Sequence, residues 1–261
     1  MTDTIQQEQR SGNDGLIAFF TALRFLTVIP VSWRADRDGQ LFGLCIYHFP
    51  LIGLLIGCGG ALVASIACLL LPTAVAAFTV LFYLSAISGF LHLDGLADSG
   101  DGLLCARPRE QSLAIMKDSR TGAMGVVILV FVLIGKFAAL STLPPEMLFS
   151  AALYLPLAGR CAIVVTMAYQ PYARPEGGLG GLFYSSRSRY AALLGLGILL
   201  AVTVLHGGIG TTLAVLMTVL VTVFWFSAFC RKRLGGVTGD TLGAVCELTE
   251  LSVAIGLTAM M

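Results

Sequence analysis

Charge is scarce in this 261-residue sequence: Lys and Arg number 16, Asp and Glu 15, and together they make up 12% of the chain. An ordinary soluble domain carries about a quarter, so a water-soluble fold is excluded. With 57% hydrophobic residues and a mean hydropathy of +0.88, the chain reads as a polytopic membrane protein. The formal net charge is +1, and no stretch is basic enough to hold nucleic acid. Cys45, Cys58, Cys68, Cys105, Cys161, Cys230 and Cys246 show no Cys-x-x-Cys spacing and no pairing with histidine, which excludes a zinc site. Most of them lie in apolar runs, where a free cysteine packs as a small reduced hydrophobe. Strict polar–apolar alternation is missing as well. The apolar stretches are continuous, which selects helices over a barrel, so the expected fold is all-α.

Met1–Gly15 is polar and lacks the apolar core of a cleaved secretory signal. A mobile polar tail is expected there, ahead of a single transmembrane helical catalytic domain over 16–261. Leu16–Pro30 is too short for a hydrocarbon core of about 30 Å, so a short interfacial or re-entrant helix is expected. Arg24 within it is either an interfacial anchor or a contact for a substrate phosphate. About seven transmembrane helices follow, over Leu41–Leu71, Ala74–Leu93, Ala123–Leu143, Phe149–Tyr169, Tyr190–His206, Thr211–Phe229 and Thr241–Met261. Recurrent glycine and alanine would let them approach closely.

Fourteen of the 16 basic residues fall in alternate connections, and the turns near Pro72, Pro144 and Gly207 hold none. The positive-inside rule then places the N-terminus and the loops near 94–120, 170–190 and 230–240 in the cytoplasm. Lys136 and Arg160 lie inside apolar runs, where each costs about 2.5–3.5 kcal/mol. Lys136 is expected to snorkel to the outer surface, whereas Arg160 is expected to meet an acidic residue, Glu250 being one choice, or a substrate phosphate.

The chemistry concentrates in His92-Leu-Asp-Gly-Leu-Ala-Asp-Ser-Gly-Asp-Gly102 and Ile115-Met-Lys-Asp-Ser-Arg-Thr-Gly122. On a helix Asp94, Asp98 and Asp101 fall within about 60° of one another. Three stacked carboxylates repel, and a hard divalent cation, most naturally Mg2+, relieves that repulsion. Lys117 and Arg120 add the positive charge that a phosphate-bearing substrate needs. Further on, Asp240 and Glu247 share a helix face, with Gly243 and Ala244 between them leaving room for a ligand or a facing helix. Asp240 is either part of the site or an N-terminal helix cap.

These motifs resemble those of the cobalamin synthase family, the adenosylcobinamide-GDP ribazoletransferases. The likeness is carried by Arg24-Phe-Leu-Thr, Phe49-Pro-Leu-Ile-Gly53, the two central motifs, Gly159-Arg160, Pro171-Tyr-Ala-Arg174, and Gly239-Asp-Thr-Leu-Gly-Ala244 with Glu247. His48 and Gly177-Gly178 depart from the pattern without touching the acidic positions. The resemblance implies a Mg2+-dependent inner-membrane transferase. Such an enzyme joins adenosylcobinamide-GDP to α-ribazole or its 5′-phosphate and releases GMP, the ribazole 3′-hydroxyl attacking the phosphorus nearest the cobinamide. It further implies that Asp94, Asp98 and Asp101 hold the metal, and that Asp240 or Glu247 completes its shell or deprotonates the hydroxyl. Lys117 and Arg120, with Arg160 or Arg174, would clamp phosphates, and Asp118 would orient the neighbouring bases. Membrane lipid is an expected partner, and a homo-oligomer is compatible with the sequence. Two other classes compete. A CDP-alcohol phosphotransferase is imitated by Asp98–Arg107, but with one residue too many before Ala106-Arg107. A cation- or proton-coupled transporter lacks support, because the acids cluster at one face and no inverted repeat is visible.

Overall fold

A computed structural model describes residues 2–32, 41–174, 176–184 and 187–261, with side chains from residue 14 onward except that of Leu179. Arg34 and Arg37, two of the basic residues used for orientation, lie outside the described residues. The described chain is helical, and its one β-type contact is an isolated bridge between Tyr172 and Val237. The helices are α1 (Thr2–Leu26), α2 (Phe42–Cys45), α3 (Phe49–Leu70), α4 (Thr73–Ala86), α5 (Leu91–Leu104), α6 (Arg109–Ile115), α7 (Ala123–Thr142), α8 (Pro145–Tyr169), α9 (Ser188–Leu234) and α10 (Gly239–Thr258). Five stretches are long and apolar enough to cross a membrane, and a sixth is obtained if α4 and α5 count as one broken span. The protein is therefore a multi-pass helical membrane protein. The expected polar tail and interfacial segment form one helix, α1, whose backbone runs unbroken through residue 15. Its face at Ala18, Thr21, Ala22 and Leu26 is buried.

The seven expected runs and the observed helices differ in two places. The runs at 190–206 and 211–229 are continuous in α9, a 47-residue helix interrupted at Gly208, whose φ of 74° lies in the left-handed region. Contacts on either side of this break run in opposite directions along the bundle. Before it, Cys161 Sγ meets the Gly195 carbonyl at 3.2 Å and the Phe149 ring stacks on His206 at 5.2 Å. After it, Gly210 lies near Met260 and Gly256 near Thr218. The second difference is in the run expected over Ala74–Leu93, which breaks at 87–90 so that α4 and α5 meet at 84°. Gly89 and Phe90 both have φ of 58°, and two successive left-handed residues cannot continue a right-handed helix.

α8 is the central post, buried along most of its length. α3 packs on it through glycine: a Cβ on Gly53 would stand 2.7 Å from the Pro156 carbonyl oxygen, and one on Gly57 would strike that of Leu153. Small residues bring α5 onto α10 in the same way. A Cβ on Gly95 would lie 2.8 Å from the Asp240 carbonyl oxygen, and one on Gly243 would lie 3.2 Å from that of His92. The small face around Gly243 and Ala244 is thus filled by a facing helix. All seven cysteines are free thiols.

Candidate active site

The contact of α5 with α10 sets two acidic residues side by side. Asp94 and Asp240 both line a cavity of about 150 Å³, together with His92, Phe25, Phe49 and Phe183. Asp98, half-buried one turn beyond Asp94, has the charges of Asp240, Asp94 and Asp101 around it. Asp94 and Asp98 have no hydrogen-bond or ion-pair partner among the described residues. Among the described residues the one cation paired to this rim is Arg174, whose Nη2 donates to Asp240 Oδ2 at 2.7 Å.

Arg174 is held there by backbone pairing. The Val237 amide donates to the Pro171 carbonyl at 3.0 Å and the Ala173 amide to the Val237 carbonyl at 2.8 Å. Arg109 braces the same loop, donating to the carbonyls of Ala173 and Leu234, each at 2.7 Å. Asp240 does not cap α10. Thr238 does so in a capping box, its Oγ1 accepting the Thr241 amide at 3.2 Å while Thr241 Oγ1 accepts the Thr238 amide at 2.8 Å. The Asp240 carboxylate is thereby left to the cavity, to Arg174 and to the Thr238 hydroxyl, which donates to it at 3.3 Å.

Asp101 shares the helix but has a different setting. It is buried, and its two oxygens accept the amides of Gly122 at 2.6 Å and Gly125 at 2.9 Å, at the start of α7. A Cβ on either glycine would stand 2.5 Å from that carboxylate, so the Thr-Gly-Ala-Met-Gly segment is shaped around it. A carboxylate at these orphan amides satisfies the helix end and its dipole.

Glu247 and Arg160 are not at the rim. They belong to a buried network one layer deeper. Lys136 Nζ contacts Glu247 Oε2 at 2.6 Å and Glu250 Oε2 at 2.7 Å. Arg160 donates to Glu250 Oε1 at 2.7 Å and to Ser88 Oγ at 2.6 Å, and lies 3.5 Å from His92 Nδ1. The pairing of Arg160 with Glu250 agrees with expectation. Snorkelling of Lys136 does not occur, because the side chain is 1% exposed and turned inward between two glutamates. An ammonium in the apolar core gains more from two fixed carboxylates than from stretching to a distant surface. Beyond the Arg160–Glu250 pair, sequence reading missed this network because its members come from α5, α7, α8 and α10.

The loop bases are exposed and paired away from the cavity. Lys117 meets Glu176 at 2.6 Å, and its hydrogen bond holds the Glu176 carboxyl below its ordinary range. Arg120 forks onto Asp118 at 2.6 Å, and those donors lower the Asp118 carboxyl to about 2. Arg24 Nη2 lies 3.3 Å from Thr21 Oγ1 on α1.

No group of three or more His, Cys, Asp or Glu side chains among the described residues is placed to cage a metal. The unpartnered pair Asp94 and Asp98, with Asp240 beside them, nevertheless fits magnesium. That ion keeps several waters and binds through one or two carboxylates plus substrate phosphates, not in an all-protein cage.

Fold and site define a multi-pass helical membrane protein with an acidic cavity at the end that carries its basic loops. Residues 18–258 match the family model described as cobalamin-5-phosphate synthase, and the chain belongs to that family. It is a transferase of cobalamin biosynthesis. A Pseudomonas fluorescens protein named adenosylcobinamide-GDP ribazoletransferase is 39% identical over 244 residues, covering 92% of this chain and 98% of its own. Proteins of the same name from Citrobacter koseri (37% identical, 92% of this chain and 98% of its own) and Clostridium novyi (31%, 90% and 94%) are also similar. No solved structure matches the chain.

Proposed function

We propose that this protein joins adenosylcobinamide-GDP to α-ribazole or its 5′-phosphate, giving adenosylcobalamin or its 5′-phosphate and GMP, in a magnesium-assisted phosphoryl transfer. The observation that carries the reading is the unbalanced acidic rim. Asp94 and Asp240 line one cavity and Asp98 stands one turn beyond Asp94, with Arg174 the one guanidinium paired to them among the described residues. A rim of that charge repels a diphosphate unless a cation joins the two.

In this reading Asp94 and Asp98 hold the metal. When bound there, magnesium supplies charge neutralisation on the pyrophosphate oxygens and on the departing GMP. Asp101 holds α5 against α7 and so sets the direction from which its neighbours reach the cavity. Arg174 exchanges Asp240 for a phosphate oxygen when substrate arrives. Asp240 then accepts the proton of the attacking ribazole hydroxyl. The new P–O bond forms at the phosphorus nearest the cobinamide, and the bond from that phosphorus to the oxygen of GMP breaks. Glu247 and Arg160 act through the buried network, and Lys117 and Arg120 act at the surface on incoming anions. The orientation proposed is an inner-membrane one with the basic end and the cavity cytoplasmic.

Purified protein given both substrates should release GMP. Excess chelator should stop the release and added magnesium restore it. Undiminished turnover in chelator would end the metal-assisted mechanism, and absence of GMP with magnesium present would end the assignment of the reaction.

A further inference from the structure

The lining of the cavity is of two unlike kinds, one acidic and one aromatic. Besides Asp94 and Asp240 the cavity is lined by three phenylalanines drawn from α1, α3 and the short helical turn at Leu179–Phe183. Phe183 is the hub: its ring centroid lies 4.8 Å from that of Phe25 and 5.4 Å from that of Phe49. Phe49 and Phe183 are almost wholly buried and back Phe25, which is partly exposed, so the ring open to the cavity is already held in place and loses little freedom when something stacks on it. Flat rings of this kind favour another π-face.

His92 supplies a polar floor of defined sense. Its Nδ1 lies 3.5 Å from Arg160 Nη2. A guanidinium has donors and no acceptor, so the contact requires an unprotonated Nδ1. The ring then carries a hydrogen on Nε2, which has no hydrogen-bond partner among the described residues, and His92 lines the cavity. Arg160 is itself fixed by Glu250 and Ser88, so the ring is held by a chain of buried hydrogen bonds.

We infer that this cavity is a subsite for a planar nitrogen heterocycle, stacked on Phe25 where Phe49 and Phe183 back it, whose unsubstituted ring nitrogen accepts a hydrogen bond from His92 Nε2. The inference rests on the proposed reaction only for the source of the ring. It is either the base of the acceptor nucleoside or the guanine of the departing nucleotide. In both cases the sugar and phosphate extend toward the carboxylate rim.

Two probes separate stacking from hydrogen bonding: 1-methylbenzimidazole, which has one acceptor nitrogen, and 1-methylindole, which has the same shape and none. Titrated calorimetrically into the purified protein, the first should bind about fivefold tighter, the size of one net hydrogen bond. His92→Phe should erase the difference, His92→Gln, which keeps a donor, should retain most of it, and Phe183→Leu should weaken both probes. Equal binding of the two probes to the unaltered protein, or a difference that survives His92→Phe, would overturn the inference. In turnover, Phe183→Leu should raise the KM of one substrate with kcat retained. A rise for α-ribazole identifies the acceptor base, and a rise for adenosylcobinamide-GDP identifies guanine. A fall in kcat with both KM values fixed would count against the subsite. If the unaltered protein releases no GMP, the proposed reaction fails, and the two probes still decide whether the subsite exists.

Discussion

Two charged regions lie one layer apart in this protein, and they are built on opposite principles. In the deeper one Lys136, Arg160, Glu247 and Glu250 balance charge for charge, each at most 5% exposed. Their mutual contacts are all between 2.6 and 2.7 Å. In the shallower one Asp94, Asp98 and Asp240 meet a single arginine, and two of the three carboxylates have no partner among the described residues. A closed, neutral network has already met the cost of leaving water and has nothing left to offer a ligand. An open, negative rim has not, and it stays tolerable because it faces a cavity. Charge inside a membrane protein marks a ligand site where it is uncompensated, and marks architecture where it is compensated. Arg160 shows how the two connect: it reaches Ser88 in the α4–α5 break and His92 at the head of α5, so the neutral region positions the helix that carries the acidic one.

The comparison breaks first at the rim. Asp94→Ala and Asp98→Ala should each reduce GMP release by about 10²–10³-fold or more, the scale of losing a preorganised electrostatic contact in the transition state. Thermal unfolding in detergent should remain as in the parent protein, and full turnover in either variant would remove that residue from the site. The network should respond in the opposite way. Lys136→Met leaves Glu247 buried without its cation and is expected to cost about 3–5 kcal/mol of stability. Adding Glu247→Gln restores neutrality and should recover much of that loss. A double variant as unstable as the single one would mean that charge balance is not what holds these helices.

A finer distinction lies within α5. Asp101→Asn weakens one of two amide contacts and should lower stability by about 1–3 kcal/mol, leaving the magnesium concentration for half-maximal activity unchanged. Asp98→Asn should shift that concentration by about tenfold or more. Equal shifts would return Asp101 to the metal shell. The smallest effects are expected at the exposed pairs. In Arg120→Ala the Asp118 carboxyl should titrate higher than its present value of about 2, as followed by NMR. Because pairing depresses that pKa, its contribution is complete above the ordinary carboxylate range and fades as pH falls toward 2. Lys117→Ala should leave the melting temperature unchanged, as exposed ion pairs generally do.

Much of this was legible beforehand, and the reasons differ by residue. Asp94 and Asp98 could be assigned to a common site because three and four residues are neighbouring helical steps, which makes one face a property of spacing alone. Asp101 has the same spacing, but its partners are amides at the start of α7, and backbone amides leave no mark in composition. Asp240 was ambiguous because aspartate suits both a helix cap and a site. Thr238 took the cap through a reciprocal contact with Thr241, and only the geometry of the turn settles that. Lys136 was misread because its distance along the chain to the outer end is visible, whereas the two glutamates beside it belong to another helix.

Apolar runs of membrane length, an excess of basic residues in alternate loops, and the acidic motif were settled by the sequence itself, since each depends on neighbours within a few residues. The pairing of charges across α5, α7, α8 and α10, the break at 87–90 and the aromatic rings that share the cavity with the acids were decided by tertiary structure. Those features arise where glycine lets one backbone lie against another, and which helix fills the space so created depends on the whole bundle.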